Sequence, residues 1–192
     1  MFERLCTGQL LESMGLAPGD NPKDHYLSVL ADKTGSLIAA AARYGVLSSG
    51  GSEELAETVA QYGEKVGVAF QLADDVIDIM SSGDATGKTP GTDLREGVDT
   101  MPTLLLKEQE EAGTIDELGA RILDRLANAD LSSDDNLDEV VSMLRRHSVL
   151  DDTQEMAKQW MEAGLEYLDG VPEGHARGAL IEYAKYSINR SA

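Results

Sequence analysis

The stretch "VGVAFQLADDVIDIM" at residues 66–80 constrains the fold more than any other. Apolar side chains fall almost all the way round it, which marks a central, buried helix. β-branched runs with period-two alternation are nearly absent from the chain, so it reads as all-α. Yet Asp74, Asp75 and Asp78 stand inside that apolar setting. Asp74 and Asp78 are four apart and share a face, Asp75 is three from Asp78, and Gln71 lies one turn before Asp74. Isolated carboxylates are very costly to bury, and like charges at i,i+4 repel by about 0.2–0.5 kcal/mol even when exposed. Such a cluster needs basic partners or a divalent metal. Magnesium suits carboxylates when it keeps some waters and takes its remaining ligands from a phosphate. The competing reading is a solvated acidic stripe at the rim of the helix; the apolar flanks favour metal.

Helical periodicity predicts elements over roughly 2–14, 23–47, 52–80, 100–112, 115–128, 135–147, 152–169 and 173–188. Gly15 and the Gly50-Gly51 pair mark helix ends. Ser52 is placed to cap the helix that carries the aspartates. Thr114 to Glu117 has capping-box form, Asp151 to Gln154 a looser version of it, and Pro172 suits a first helical turn. With 192 residues and no internal repeat, the expectation is a single all-α domain over 1–192.

Charge narrows the function classes. Lys and Arg number 16 against 35 Asp and Glu, a formal net charge of −19. A nucleic-acid binder needs a basic footprint, and docking on an anionic membrane by charge alone is equally disfavoured. An anionic substrate would need local cations or metal to overcome the overall field. Cys6 is the only cysteine, so no internal disulfide forms, and the expectation is a reducing, cytoplasmic setting. The N-terminus carries Glu3, Arg4 and Glu12 and has no signal-peptide core.

The residues after the aspartates, "SGDATGKTPGTD" at 82–93, nearly spell a nucleotide-binding loop. The register fails: Gly87-Lys88-Thr89 requires glycine at 82, which is Ser82, and Gly83 comes one residue late. Pro90-Gly91 also break the helix that must start there. The segment reads better as a connection that brings Lys88 over the aspartates. A second acidic run, Asp134, Asp135 and Asp138, follows two serines at a helix start, where acids complement the helix dipole and stay wet. His25, His147 and His175 lack ligand spacing and fit surface or capping roles. Trp160 is read as packing.

Three segments resemble one known family. "KTG" at 33–35, "FQLADDVIDI" at 70–79 and "TGKTPGTDLREGVDTMPTLLL" at 86–106, with "GQLLE" at 8–12, are similar to the trans-prenyltransferases, the polyprenyl (isoprenyl) diphosphate synthases of bacterial, actinobacterial type. The resemblance covers that family's C-terminal portion. It implies an isoprenoid synthase-type helical bundle around a central cavity, in a homodimer. It implies condensation of isopentenyl diphosphate with an allylic prenyl diphosphate, using Mg²⁺. By the same match Asp74 and Asp78 are Mg²⁺ ligands, with Asp75 supporting directly or through water. Lys33, Thr34, Gln71 and Lys88 hold the allylic diphosphate, and Lys33, Asp74 and Lys88 carry the catalytic roles. Asp93 matches an acidic position, and Arg190 weakly matches a basic residue near the second substrate.

One departure stands out. The family has a first aspartate-rich motif well upstream of the second, and nothing like it precedes residue 74. The expectation is therefore that the family's N-terminal helices are missing, that Met1 is an internal methionine, and that this chain alone is incomplete. A non-catalytic partner subunit or diphosphate-binding module is the alternative. A terpene cyclase fits "KTG" and "GTDLREG" less well.

Overall fold

The computed structural model describes residues 1–81 and 89–190. Among these the regular elements are all helical, as the periodicity predicts. They are α1 (Phe2–Met14), α2 (Pro22–Leu30), α3 (Ser36–Ser48), α4 (Glu53–Met80), α5 (Thr92–Arg95), α6 (Met101–Glu111), α7 (Glu117–Asn128), α8 (Asp134–Leu144), α9 (Val149–Tyr167) and α10 (His175–Asn189). A π-helical turn, Ala31–Gly35, joins α2 to α3, and a 3-10 turn, Leu168–Gly170, follows α9. No helix among the described residues is long and apolar enough to cross a membrane.

The chain divides into two compact units. The first contains Met1–Ala73 and Glu155–Arg190, the second Asp74–Gln154, so α4 and α9 contribute to both. In the first unit Tyr62, Val66, Val68 and Leu72 of α4 are fully buried, as a helix apolar on most sides must be. The Tyr62 hydroxyl donates to the Leu180 carbonyl at 2.6 Å, which satisfies its one polar atom. Gly63 and Gly67 let α3 and the π turn approach α4 at backbone distance. A Cβ on Gly63 would meet Ala39 Cα at 2.9 Å, and one on Gly67 would meet Gly35 Cα at 2.6 Å.

The core of the second unit gathers Ile79 of α4, Leu106 of α6, Ile122 of α7, Leu137 and Leu144 of α8 and Val149 of α9. Each comes from the apolar stripe of its helix, and α8 presents its stripe at 137, 140, 141 and 144.

Several helix boundaries differ from the sequence expectation, for identifiable reasons. The run 23–47 is not one α-helix, because the π turn interrupts it. Ser52 does cap α4, accepting from the Leu55 N–H at 3.1 Å. At α7 the cap is Asp116, accepting from the Gly119 N–H at 2.6 Å, and not Thr114. α9 starts at Val149, before Asp151, because the His147 ring Nδ1 accepts the Val149 N–H at 3.1 Å. α10 starts at His175, so Pro172 precedes the helix instead of lying in its first turn.

Candidate functional site

The acidic candidates belong to the second unit. The three aspartates sit in three different environments: Asp74 is exposed, Asp75 is buried and Asp78 is half-buried. Neighbouring Asp74 and Asp75 differ because they point about 100° apart around α4, whereas Asp78, on the face of Asp74, differs because residues 91–93 pack against it.

Asp75 is 4% exposed, and its Oδ2 accepts the Met101 N–H at 3.1 Å. Met101 opens α6, so a carboxylate there meets one of the orphan amides of a helix N-terminus and its partial positive charge. Thr100 and Thr103 complete the cap reciprocally. Asp75 therefore ties the aspartate helix to α6.

Asp78 is held by the chain that follows it. Its carbonyl accepts the Gly91 N–H at 3.0 Å. Gly91 has φ 75, and a Cβ there would lie 2.7 Å from Val141 Cγ2, so only glycine makes this turn. The turn aims the first amides of α5 back at α4, and the Asp78 carboxylate accepts backbone N–H groups from Thr92 and Asp93. Its Oδ2 is nonetheless buried with no hydrogen-bond partner. Burial first, then the negative charges of Asp93 and Asp74, push the carboxyl from 3.8 up to about 6, against the two amides that favour the anion. Among the described residues no three His, Cys, Asp or Glu side chains form a ready-made cation cage. The donor set still fits a hard divalent cation: carboxylate oxygens, an orphaned acceptor and neighbouring negative charge.

The sign of this shift is testable. The folded state binds the Asp78 proton more tightly than the unfolded chain does. The stability this contributes is present below the unfolded value near 3.8 and is lost as pH rises through about 6. In metal-free buffer Asp78→Asn is therefore expected to be more stable than the unmodified chain at pH 7, by about 1 kcal/mol after solvent screening. Urea unfolding at several pH values measures this. The gap should shrink towards zero as pH falls to 4; a gap that does not change with pH contradicts the account.

The basic and polar candidates belong to the first unit. Lys33 and Thr34 lie in the π turn, a distortion that frequently marks functional positions in helices. Gly8 of α1 packs on this turn, where its missing Cβ would stand 2.8 Å from the Lys33 N. Gly35 packs on α4 at Glu64 and Gly67, four residues before the half-buried Gln71. Ser36 is buried and donates to the Asp32 carbonyl at 2.6 Å, satisfying a group in the distorted turn. The Lys33 Nζ is paired with the Glu12 carboxylate at 2.8 and 3.0 Å. Arg4 pairs with Asp32 and Glu64. These exposed pairs contribute little stability, so their geometry is easily exchanged for another anion.

Lys88 lies outside the described residues. Arg190 stacks on the Phe70 ring, 3.6 Å from its centroid, and donates to the Phe70 carbonyl at 3.2 Å. Asp134 lies exposed in the first turn of α8 and pairs with Arg95, as a wet helix start should. His147 is buried, with Nε2 3.2 Å from Asp116 Oδ1, and serves as a cap. Sequence reasoning missed the Glu12 partner of Lys33 and the amides that grip Asp78. "GQLLE" carried a signal for the first; the second depends on a turn that Gly91 alone hints at.

A protein-family model described as polyprenyl synthetase matches residues 1–144. The nonaprenyl diphosphate synthase of Mycobacterium tuberculosis is 36% identical over 189 residues, covering 98% of this chain and 55% of that protein. Heptaprenyl diphosphate synthase component 2 of Geobacillus stearothermophilus is 28% identical, covering 95% and 54%. The crystal structure of geranylgeranyl pyrophosphate synthase from Corynebacterium glutamicum, complexed with calcium and isoprenyl diphosphate, superposes with a TM-score of 0.85 at 32% identity, over 98% of this chain and 57% of that one. The chain thus spans about half the length of the relatives it matches.

Proposed function

Because the chain belongs to the polyprenyl synthetase family, we propose that it supplies the allylic-diphosphate side of a trans-prenyltransferase site. The reaction joins isopentenyl diphosphate to an allylic prenyl diphosphate and releases pyrophosphate. The observation that carries this reading is Asp78: a carboxylate with an orphaned buried oxygen, set among like charges, on the helix that also bears Asp74.

Asp74 and Asp78 hold Mg²⁺, with Asp75 supporting them through its grip on α6. The bound metal supplies positive charge against the departing diphosphate. Lys33, Thr34, Gln71 and Lys88 bind and orient that diphosphate. Lys33 exchanges Glu12 for a phosphate oxygen and keeps its proton, so it stabilises the charge that develops as the allylic C–O bond breaks. The apolar residues at 37–42 of α3, partly exposed, keep water from the allylic cation. The new C–C bond forms from the isopentenyl double bond, and a proton then leaves the product. The calcium and isoprenyl diphosphate named for the Corynebacterium protein support a divalent metal and a prenyl diphosphate as ligands of this fold. A homodimer is the assembly proposed.

The test is incorporation of labelled isopentenyl diphosphate. This chain alone is expected to form no product, because the site it supplies lacks a first aspartate-rich motif. Joined to an upstream segment carrying that motif, it is expected to elongate an allylic diphosphate in the presence of Mg²⁺ and to lose that activity on Asp74→Ala. A joined protein that binds both diphosphates and forms no product would sink the assignment. A second reading is favoured by the relative named as component 2 of its synthase: the chain is one subunit of a heteromeric enzyme. Co-purification with a partner that carries the first motif supports that reading, and a pure homo-oligomer opposes it.

A further inference from the structure

The last turn of α4 carries Asp78, and the carbonyls at a helix C-terminus run out of i+4 amide partners. Ile77 O still accepts the Ser81 N–H at 2.8 Å in the helical register, while Asp78 O accepts the Gly91 N–H at 3.0 Å from outside the helix. Ile79 O accepts Arg145 Nε at 2.8 Å, and Ser81 O accepts Arg145 Nη2 at 2.7 Å. α4 has no basic residue of its own in this turn. The cation that complements the helix C-terminus therefore comes from another element, just past the end of α8.

That element is a firm base. Leu137, Val140, Val141, Met143 and Leu144 are buried in the core that also contains Ile79. Arg145 follows directly, with its own N–H on the Val141 carbonyl at 3.0 Å. A planar guanidinium bonds two carbonyls two residues apart at once. A lysine ammonium is a point donor without that fork.

We propose that Arg145 is a positioning residue for the Asp74–Asp78 pair. It fixes the final turn of α4 so that Asp78 meets its cation in one orientation. This rests on the reading of the aspartates as a Mg²⁺ site, and the test separates the two. Binding of inorganic pyrophosphate in the presence of Mg²⁺ is measured by calorimetry on the chain, on Arg145→Gln, on Arg145→Lys and on Arg146→Gln. Among the described residues Arg146 donates to Ser142 O at 3.0 Å, within its own helix end, and it serves as the control. Amide hydrogen exchange of residues 77–81 is followed in parallel.

Arg145→Gln is expected to weaken Mg²⁺-dependent pyrophosphate binding by about 10-fold and to speed exchange at 77–81 while α6 and α8 stay protected. Arg145→Lys should lie between, and Arg146→Gln should match the unmodified chain. Unchanged affinity with unchanged exchange overturns the proposal. So does faster exchange spread equally over α4, α6 and α8, which marks a general loss of stability. If the unmodified chain binds no pyrophosphate with Mg²⁺, the metal-site reading falls, and local exchange at 77–81 alone decides whether Arg145 holds this turn.

Discussion

Asp74→Ala is expected to lower Mg²⁺-dependent diphosphate binding by about 100-fold or more, with almost no change in stability. Removing only an outer partner of a metal ligand weakens a site by about 10–100-fold, so losing a ligand belongs at or beyond the upper end of that range. Asp74 is exposed, and exposed substitutions away from special features usually stay within about 0.5 kcal/mol. Its charge also raises the Asp78 carboxyl, so its removal relieves repulsion in the metal-free protein. Calorimetry with Mg²⁺ and inorganic pyrophosphate reads the first effect, and thermal unfolding without metal reads the second. A variant that unfolds early would assign Asp74 a structural role. A variant that binds as well as the unmodified chain would remove it from the site.

The second large effect concerns Gly67. Gly67→Ala would put a methyl 2.6 Å from Gly35 Cα and 3.1 Å from its N. Those are backbone atoms of the π turn that carries Lys33 and Thr34, so no side chain can swing away. Overpacking of this kind costs about 3 kcal/mol, which lowers the melting temperature of a chain of this size by about 6–12 °C. Any relief must come from moving the π turn, so diphosphate affinity should fall as well. Gly178→Ala is the matched control. Gly178 lies inside α10 with open space where its Cβ would go, and alanine there should stabilise by about 0.5–1 kcal/mol. Equal melting temperatures for Gly67→Ala and the unmodified chain would show that the close contact can yield.

The architecture was legible because long helices write their period into the sequence. The buried aspartate helix, the exposed acid run at Asp134 and the capping role of Ser52 all followed from local pattern. What escaped was non-local. The π turn at Ala31–Gly35 gives no periodic signal, since it arises where Gly8, Gly35 and Gly67 let three elements meet at backbone distance. His147 replaced the expected cap of α9 through a ring that is buried only once the second unit has folded. Within the site, the sequence marked Asp74, Asp75 and Asp78 as one group, yet burial splits them. Asp75 faces α6, Asp78 faces the Gly91 turn, and Asp74 faces solvent. No spacing rule separates residues 74 and 78, which share a face, because the chain that covers Asp78 lies more than ten positions later.

The central claim is that this chain holds one side of a Mg²⁺-diphosphate site, built on α4. The most direct measurement is calorimetric titration of the chain with inorganic pyrophosphate, with and without Mg²⁺, alongside Asp78→Asn. The account predicts saturable binding that requires Mg²⁺ and is lost in the variant, even though Asp78→Asn folds at least as stably. Binding that is unchanged by omitting Mg²⁺, or kept in full by Asp78→Asn, would contradict it.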